Sequence, residues 1–147
     1  MFVSHGAMIL VIDGAKKSLF RNRGNDVAVD LEMVEHDAKH GASTSEIGAD
    51  KPGRSFNSKG KSRSAHETSD YHQVAEDDFA KAATEQLNAL AHQSDVDFIV
   101  VAAPRVLGEI RRHYSVDLRK RIVAEINKDY AGHPAADVVA LLRHHEL

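Results

Sequence analysis

A chain of 147 residues with 42% apolar and 28% charged residues has the size and make-up of one soluble domain, and is too short for two well-cored ones. The net charge of -3 excludes a uniformly basic nucleic-acid binder but leaves room for a local basic patch. With 0 cysteines, disulfides, thiolate metal sites and a cysteine nucleophile are excluded. No apolar run approaches the roughly 18 residues of a membrane span. Residues 1–7 lack the basic start and long apolar stretch of a secretory signal, so the cytoplasm is the expected compartment.

The first third reads as strands. Residues 7–13 (AMILVID) form a continuous apolar run, as in a strand buried on both faces, and end at the turn Asp13-Gly14-Ala15. Residues 17–23 alternate and suit a second strand. Gly24-Asn25-Asp26 then marks a turn, and a third strand is expected over about 27–35. Their closeness in sequence predicts an antiparallel meander.

Periodicity disappears over about 37–70, a long stretch rich in glycine and serine. Its centre, KPGRSFNSKGKSR, carries Lys51, Arg54, Lys59, Lys61 and Arg63 and no acidic residue, so charge is segregated in an acidic chain. A long helix is expected over 72–93, with Asp70 as N-cap and Gln73 in the capping-box position. Phe79, Ala82, Ala83, Leu87, Leu90 and Ala91 make its apolar face. Residues 97–103 (DFIVVAA) are a second buried strand, ended by Pro104, which opens a helix striped by Leu107, Ile110 and Tyr114. Residues 121–127 alternate as a strand, and Pro134 starts a last helix bearing Val138, Val139, Leu141 and Leu142.

The order βββ-α-β-α-β-α predicts one α/β domain over residues 1–147, with a mixed five-stranded sheet and helices on its faces. The expected core is Ile9, Leu10, Val11, Phe79, Leu87, Ile99, Val100, Val101, Leu107, Ile110 and Ile126.

That order, with Asp13-Gly14 closing the first strand, looks ribonuclease H-like, an architecture shared with the middle domain of archaeal and eukaryotic peptide-chain release factors. Five segments carry a closer likeness: HGAMILVIDGAKKSLFRN, DKPGRSF, SDYHQVAEDDFA, APRVLGEIRRHY and EINKDYAGHP. In this order they resemble the bacterial host-attachment protein family, which is grouped with bacterial relatives of the release-factor domain. Tyr71 stands where that family suggests Trp, and Tyr130-Ala131 where it suggests Leu-Thr. The resemblance implies a role in attachment of a bacterium to host cells, without supplying a mechanism.

Three functional readings follow. The first is a non-enzymatic host-attachment protein. The second is an RNA- or ribosome-associated release-factor-like protein that binds through Lys51, Arg54, Lys59, Lys61 and Arg63, joined by Arg111 and Arg112 in a further basic cluster from Arg105 to Arg121. The third is an atypical two-metal nuclease built on Asp13. Such an enzyme needs converging carboxylates, whereas the strand over 97–103 runs into Ala102-Ala103-Pro104. Asp13 is more simply read as capping its own turn. His36 with His40, and His66 with His72, have spacings a metal could use, but surface histidines are the simpler reading. No metal and no small-molecule cofactor are expected. The partner is an unknown protein or RNA, and homo-oligomerisation is left open.

Overall fold

The structure, a computed structural model, describes residues 1–38 and 64–145. Chain order is β1 (Met8–Ile12), β2 (Lys16–Asn22), β3 (Leu31–Ala38), α1 (Ser64–Gln93), β4 (Phe98–Ala102), α2 (Pro104–Arg111), α3 (Val116–Arg121), β5 (Ile122–Asn127) and α4 (Ala135–His144). The two continuous apolar runs become β1 and β4, buried along their whole length. They pair in parallel at the middle of a sheet ordered β3-β2-β1-β4-β5. β2 and β3 add antiparallel on one side and β5 adds parallel on the other. This is the expected single α/β domain with a mixed five-stranded sheet, and its strand order is compatible with a ribonuclease H-like topology.

Alternation along each strand divides the core into two layers. Leu10, Ile12, Phe98 and Val100 face α1, α2 and α3 through Ala83, Leu87, Leu107, Ile110 and Leu118. Ile9, Val11, Ile99, Val101 and Ile126 face α4 through Val138, Leu141 and Leu142. Of the expected core, Phe79 is only half-buried, and the others are buried. The buried stripe of α1 is Ala80, Ala83, Thr84, Leu87 and Ala91, and Ala82 is exposed. Small residues dominate this face, and within the helix the Thr84 hydroxyl donates to the Ala80 carbonyl at 2.7 Å.

Three boundaries differ from the sequence reading. α1 begins at Ser64, so Asp70 lies inside the helix rather than capping it. Its first turns (SAHETSD) are polar and show no apolar period, although no glycine or proline interrupts them. Gln73 donates to Asp77 Oδ1 at 2.8 Å instead of closing a capping box. β3 begins at Leu31 rather than near residue 27 because side chains hold the preceding amides. Asn25 Oδ1 accepts from the N–H groups of Val27 (2.9 Å) and Ala28 (2.8 Å), and Asn22 Oδ1 from those of Gly24 (2.9 Å) and Asp30 (3.0 Å). A Cβ at Gly24 would stand 2.0 Å from the Ala28 carbonyl oxygen, so this tight loop requires glycine there. Finally, the helix opened by Pro104 stops at Arg111, and the short α3 follows before β5.

Candidate functional site

Asp13 has a structural position. Its Oδ1 accepts from the backbone N–H groups of Ala15 and Lys16, each at 2.7 Å, and its own N–H donates to the Lys16 carbonyl at 3.0 Å. The carboxylate therefore closes the β1–β2 hairpin as an Asx turn. Among the described residues, no group of three or more His, Asp and Glu side chains could hold a metal ion. His36 Nδ1 lies 3.1 Å from the Ser18 hydroxyl, while His40 falls outside the described residues. Lys51, Arg54, Lys59, Lys61 and Arg63 also lie outside the described residues.

Arg111 and Arg112 sit at the C-terminal end of α2, where the helix dipole favours cations, but each has a carboxylate partner. Arg112 Nη1 is 3.1 Å from Glu109 Oε1. Arg111 donates from Nε (3.0 Å) and Nη2 (2.7 Å) to a single oxygen, Oε1 of Glu125 on β5. Arg121 pairs with Asp95. Arg105, Arg119 and Lys120 are exposed and make no ion pair among the described residues.

Around Arg111 the chain builds a pocket. It measures about 240 Å³ and is lined by Arg111, Tyr114, Arg119, Ile122 and Glu125, from α2, the following turn, α3 and β5. Asn88 of α1 fixes that turn from below. Its Nδ2 donates to the His113 carbonyl and its Oδ1 accepts from the Ser115 N–H, both at 2.9 Å. The Ser115 hydroxyl then caps α3 by accepting from the Leu118 N–H at 3.0 Å, and Leu118 is buried in the core. A register shift between β4 and β5 pairs Phe98 with Ile122 but Ile99 with Ala124, leaving Val123 as the extra residue. The shift puts Glu125 opposite Val100, on the sheet face that carries α2 and α3.

The Tyr114 hydroxyl donates to Glu125 Oε2 at 2.6 Å, so each oxygen of this carboxylate holds its own donor. Burial pushes the Tyr114 phenol far above its ordinary value, and the hydrogen bond to Glu125 pushes it further, so the phenol stays neutral. Burial also pushes the Glu125 carboxyl up. The hydrogen bonds from Arg111 and Tyr114 and the charges of Arg111 and Arg119 outweigh burial, leaving it below the ordinary carboxylate range. The Arg119 guanidinium carbon stands 6.0 Å from the centre of the Tyr114 ring. One carboxylate thus faces two guanidinium groups, and the described lining residues carry a net positive charge beside an apolar wall of Ile122 and the Tyr114 ring. Two guanidinium groups beside an apolar wall suit the pocket chemically to an anion.

Sequence reasoning singled out Arg111 as a cation but did not join it to Tyr114 or Glu125. Those residues come from separate elements, and the bulge that aims Glu125 inward has no local signal.

The fold and site define a mixed-sheet α/β domain with a pocket lined by two arginines, a tyrosine and a glutamate beside its β5 edge. The profile of bacterial archaeo-eukaryotic release factor family 12 matches residues 6–142, and the chain belongs to that family. No curated protein matches the chain at a significant level. Among the described residues, no helix is long and apolar enough to cross a membrane.

Proposed function

We propose that the protein is a non-catalytic binding factor that engages RNA, free or within the ribosome, through a cationic surface. The observation that carries this reading is the match over residues 6–142 to a family named for the archaeal and eukaryotic release factors. The charge distribution supports it. Of the six cations between positions 105 and 121, Arg111, Arg112 and Arg121 pair with Glu125, Glu109 and Asp95, while Arg105, Arg119 and Lys120 are exposed and make no ion pair among the described residues, in a chain whose net charge is -3. Lys51, Arg54, Lys59, Lys61 and Arg63 are proposed to extend this surface, on the strength of their clustering in sequence. Lys and Arg that neutralise phosphates release condensed counterions, so binding should weaken as salt rises. Titration of a fluorescent single-stranded RNA at several salt concentrations, together with co-sedimentation with ribosomes, tests the proposal. Failure in both assays at low salt would refute it.

The second reading is a part in attachment to host cells. It is favoured by the five segments that resemble the host-attachment family, DKPGRSF and APRVLGEIRRHY among them. Direct adhesion requires the protein on the cell surface, so protease shaving of intact cells separates the two readings. A surface protein is cleaved, whereas an RNA-bound factor inside the cell is protected.

A further inference from the structure

We propose that the pocket between α2, α3 and β5 binds a single nucleotide unit, its phosphate on Arg119 and Arg111 and its ring against Ile122 and the Tyr114 face. This inference rests on the RNA-binding reading and assigns it a contact site. Four observations carry it.

The first is charge. Glu125 is satisfied at both oxygens by Arg111 and Tyr114, which damps its repulsion of an incoming anion. Arg119 makes no hydrogen bond or ion pair among the described residues, and its charge is the pocket's surplus. The second is donor supply. Guanidinium offers five N–H donors in a fork suited to phosphate. Arg111 directs Nε and Nη2 at Glu125, leaving Nη1 with no partner among the described residues. The third is size. A pocket of about 240 Å³ takes a phosphate and a small ring, and cannot admit a duplex. The fourth is access. β5 is an edge strand, so a single strand can run past the pocket without displacing a neighbour. At 6.0 Å from the ring centre, Arg119 is at the outer limit of a cation–π contact and is free to turn toward a phosphate.

The test is an NMR titration of the whole protein that follows backbone amides and arginine Nε–H signals. The probes are uridine 5′-monophosphate, inorganic phosphate, uridine and a glutamate-rich peptide. Uridine 5′-monophosphate should move the signals of Arg119, Tyr114 and Ile122. Phosphate alone should move them at higher concentration, and uridine should not. Arg119→Ala should weaken nucleotide binding about tenfold or more, as expected for a hydrogen bond to a charged group. Arg119→Lys should recover part of the affinity, keeping the charge but losing the fork. Arg119 is exposed, so both variants should fold.

Nucleotide affinity unchanged in Arg119→Ala, or tighter binding of the acidic peptide at the same signals, would overturn the proposal. Single-stranded RNA bound equally by wild type and Arg119→Ala would overturn the pocket while leaving the RNA reading intact. Pocket shifts with the mononucleotide in a protein that binds no RNA would support the site and refute the RNA reading on which its biological use depends.

Discussion

Asn88 is the side chain whose loss should damage the candidate site most directly without touching it. It joins α1 to the turn between α2 and α3 through two 2.9 Å hydrogen bonds, one donated and one accepted. A net intramolecular hydrogen bond contributes about 0.5–1.5 kcal/mol, so two set a range of about 1–3 kcal/mol. The residues are half-buried, so water can reach part of the exposed backbone, and Asn88→Ala should cost about 1–2 kcal/mol. Asn88→Asp keeps the acceptor for the Ser115 N–H but sets a carboxylate oxygen against the His113 carbonyl, so it should recover little. Urea unfolding followed by circular dichroism reads the midpoint at constant slope. The same variant should also shift the NMR signals of Tyr114 and Ile122, because the turn that places Tyr114 loses its tie. A change below about 0.5 kcal/mol, the range of an ordinary surface substitution, with pocket signals unmoved would refute the claim that Asn88 positions the site.

Other outcomes follow from the same structure. Leu87→Ala should cost about 2–5 kcal/mol in the same unfolding assay, because Leu87 is only 2% exposed between α1 and the sheet. Asp13→Asn, which keeps the Oδ1 acceptor of the Asx turn, should cost less than about 1 kcal/mol, whereas Asp13→Ala should cost more. No RNA or DNA cleavage dependent on Mg²⁺ or Mn²⁺ should accompany wild type, and activity abolished by Asp13→Asn would contradict this. The Glu125 carboxyl is lowered in the fold, so its contribution to stability is present above the unfolded value of about 4.3 and is lost as pH falls through the folded one. The Tyr114 phenol is raised, so its contribution is full below about pH 10 and is lost as pH rises beyond that. Compared with Tyr114→Phe, wild type should therefore lose relative stability above about pH 10, as measured by thermal unfolding across pH.

Much of the fold was readable because burial is strong where the sequence is simplest. MILVI and FIVVA are buried on both faces and leave no doubt about the two central strands. Ala124 and Ile126 likewise mark β5 by alternation. Sequence and structure part where polar groups decide the backbone. β3 starts later than its alternation suggests because Asn22 and Asn25 side chains, rather than a neighbouring strand, take the amides before residue 31. Nothing apolar marks the first turns of α1, so the sequence there resembles a loop. Leu107, Ile110 and Tyr114 fit one helical stripe, which hid the turn that splits α2 from α3. Ser115 as N-cap, with Asp117 in the first turn, is the local signal for α3. The pocket was not legible, because it depends on the β5 register shift and on Asn88, neither of which leaves a pattern along the chain.

The salt dependence of single-stranded RNA affinity tests the central claim most directly. Fluorescence anisotropy of a labelled oligonucleotide, titrated with the full chain from low to physiological salt, gives the slope of log K against log salt. Contact with a few phosphates predicts a negative slope of about 0.7 for each phosphate neutralised, with Arg119→Ala making it shallower. No binding at the lowest salt, or binding that salt does not weaken, would contradict an RNA-binding role.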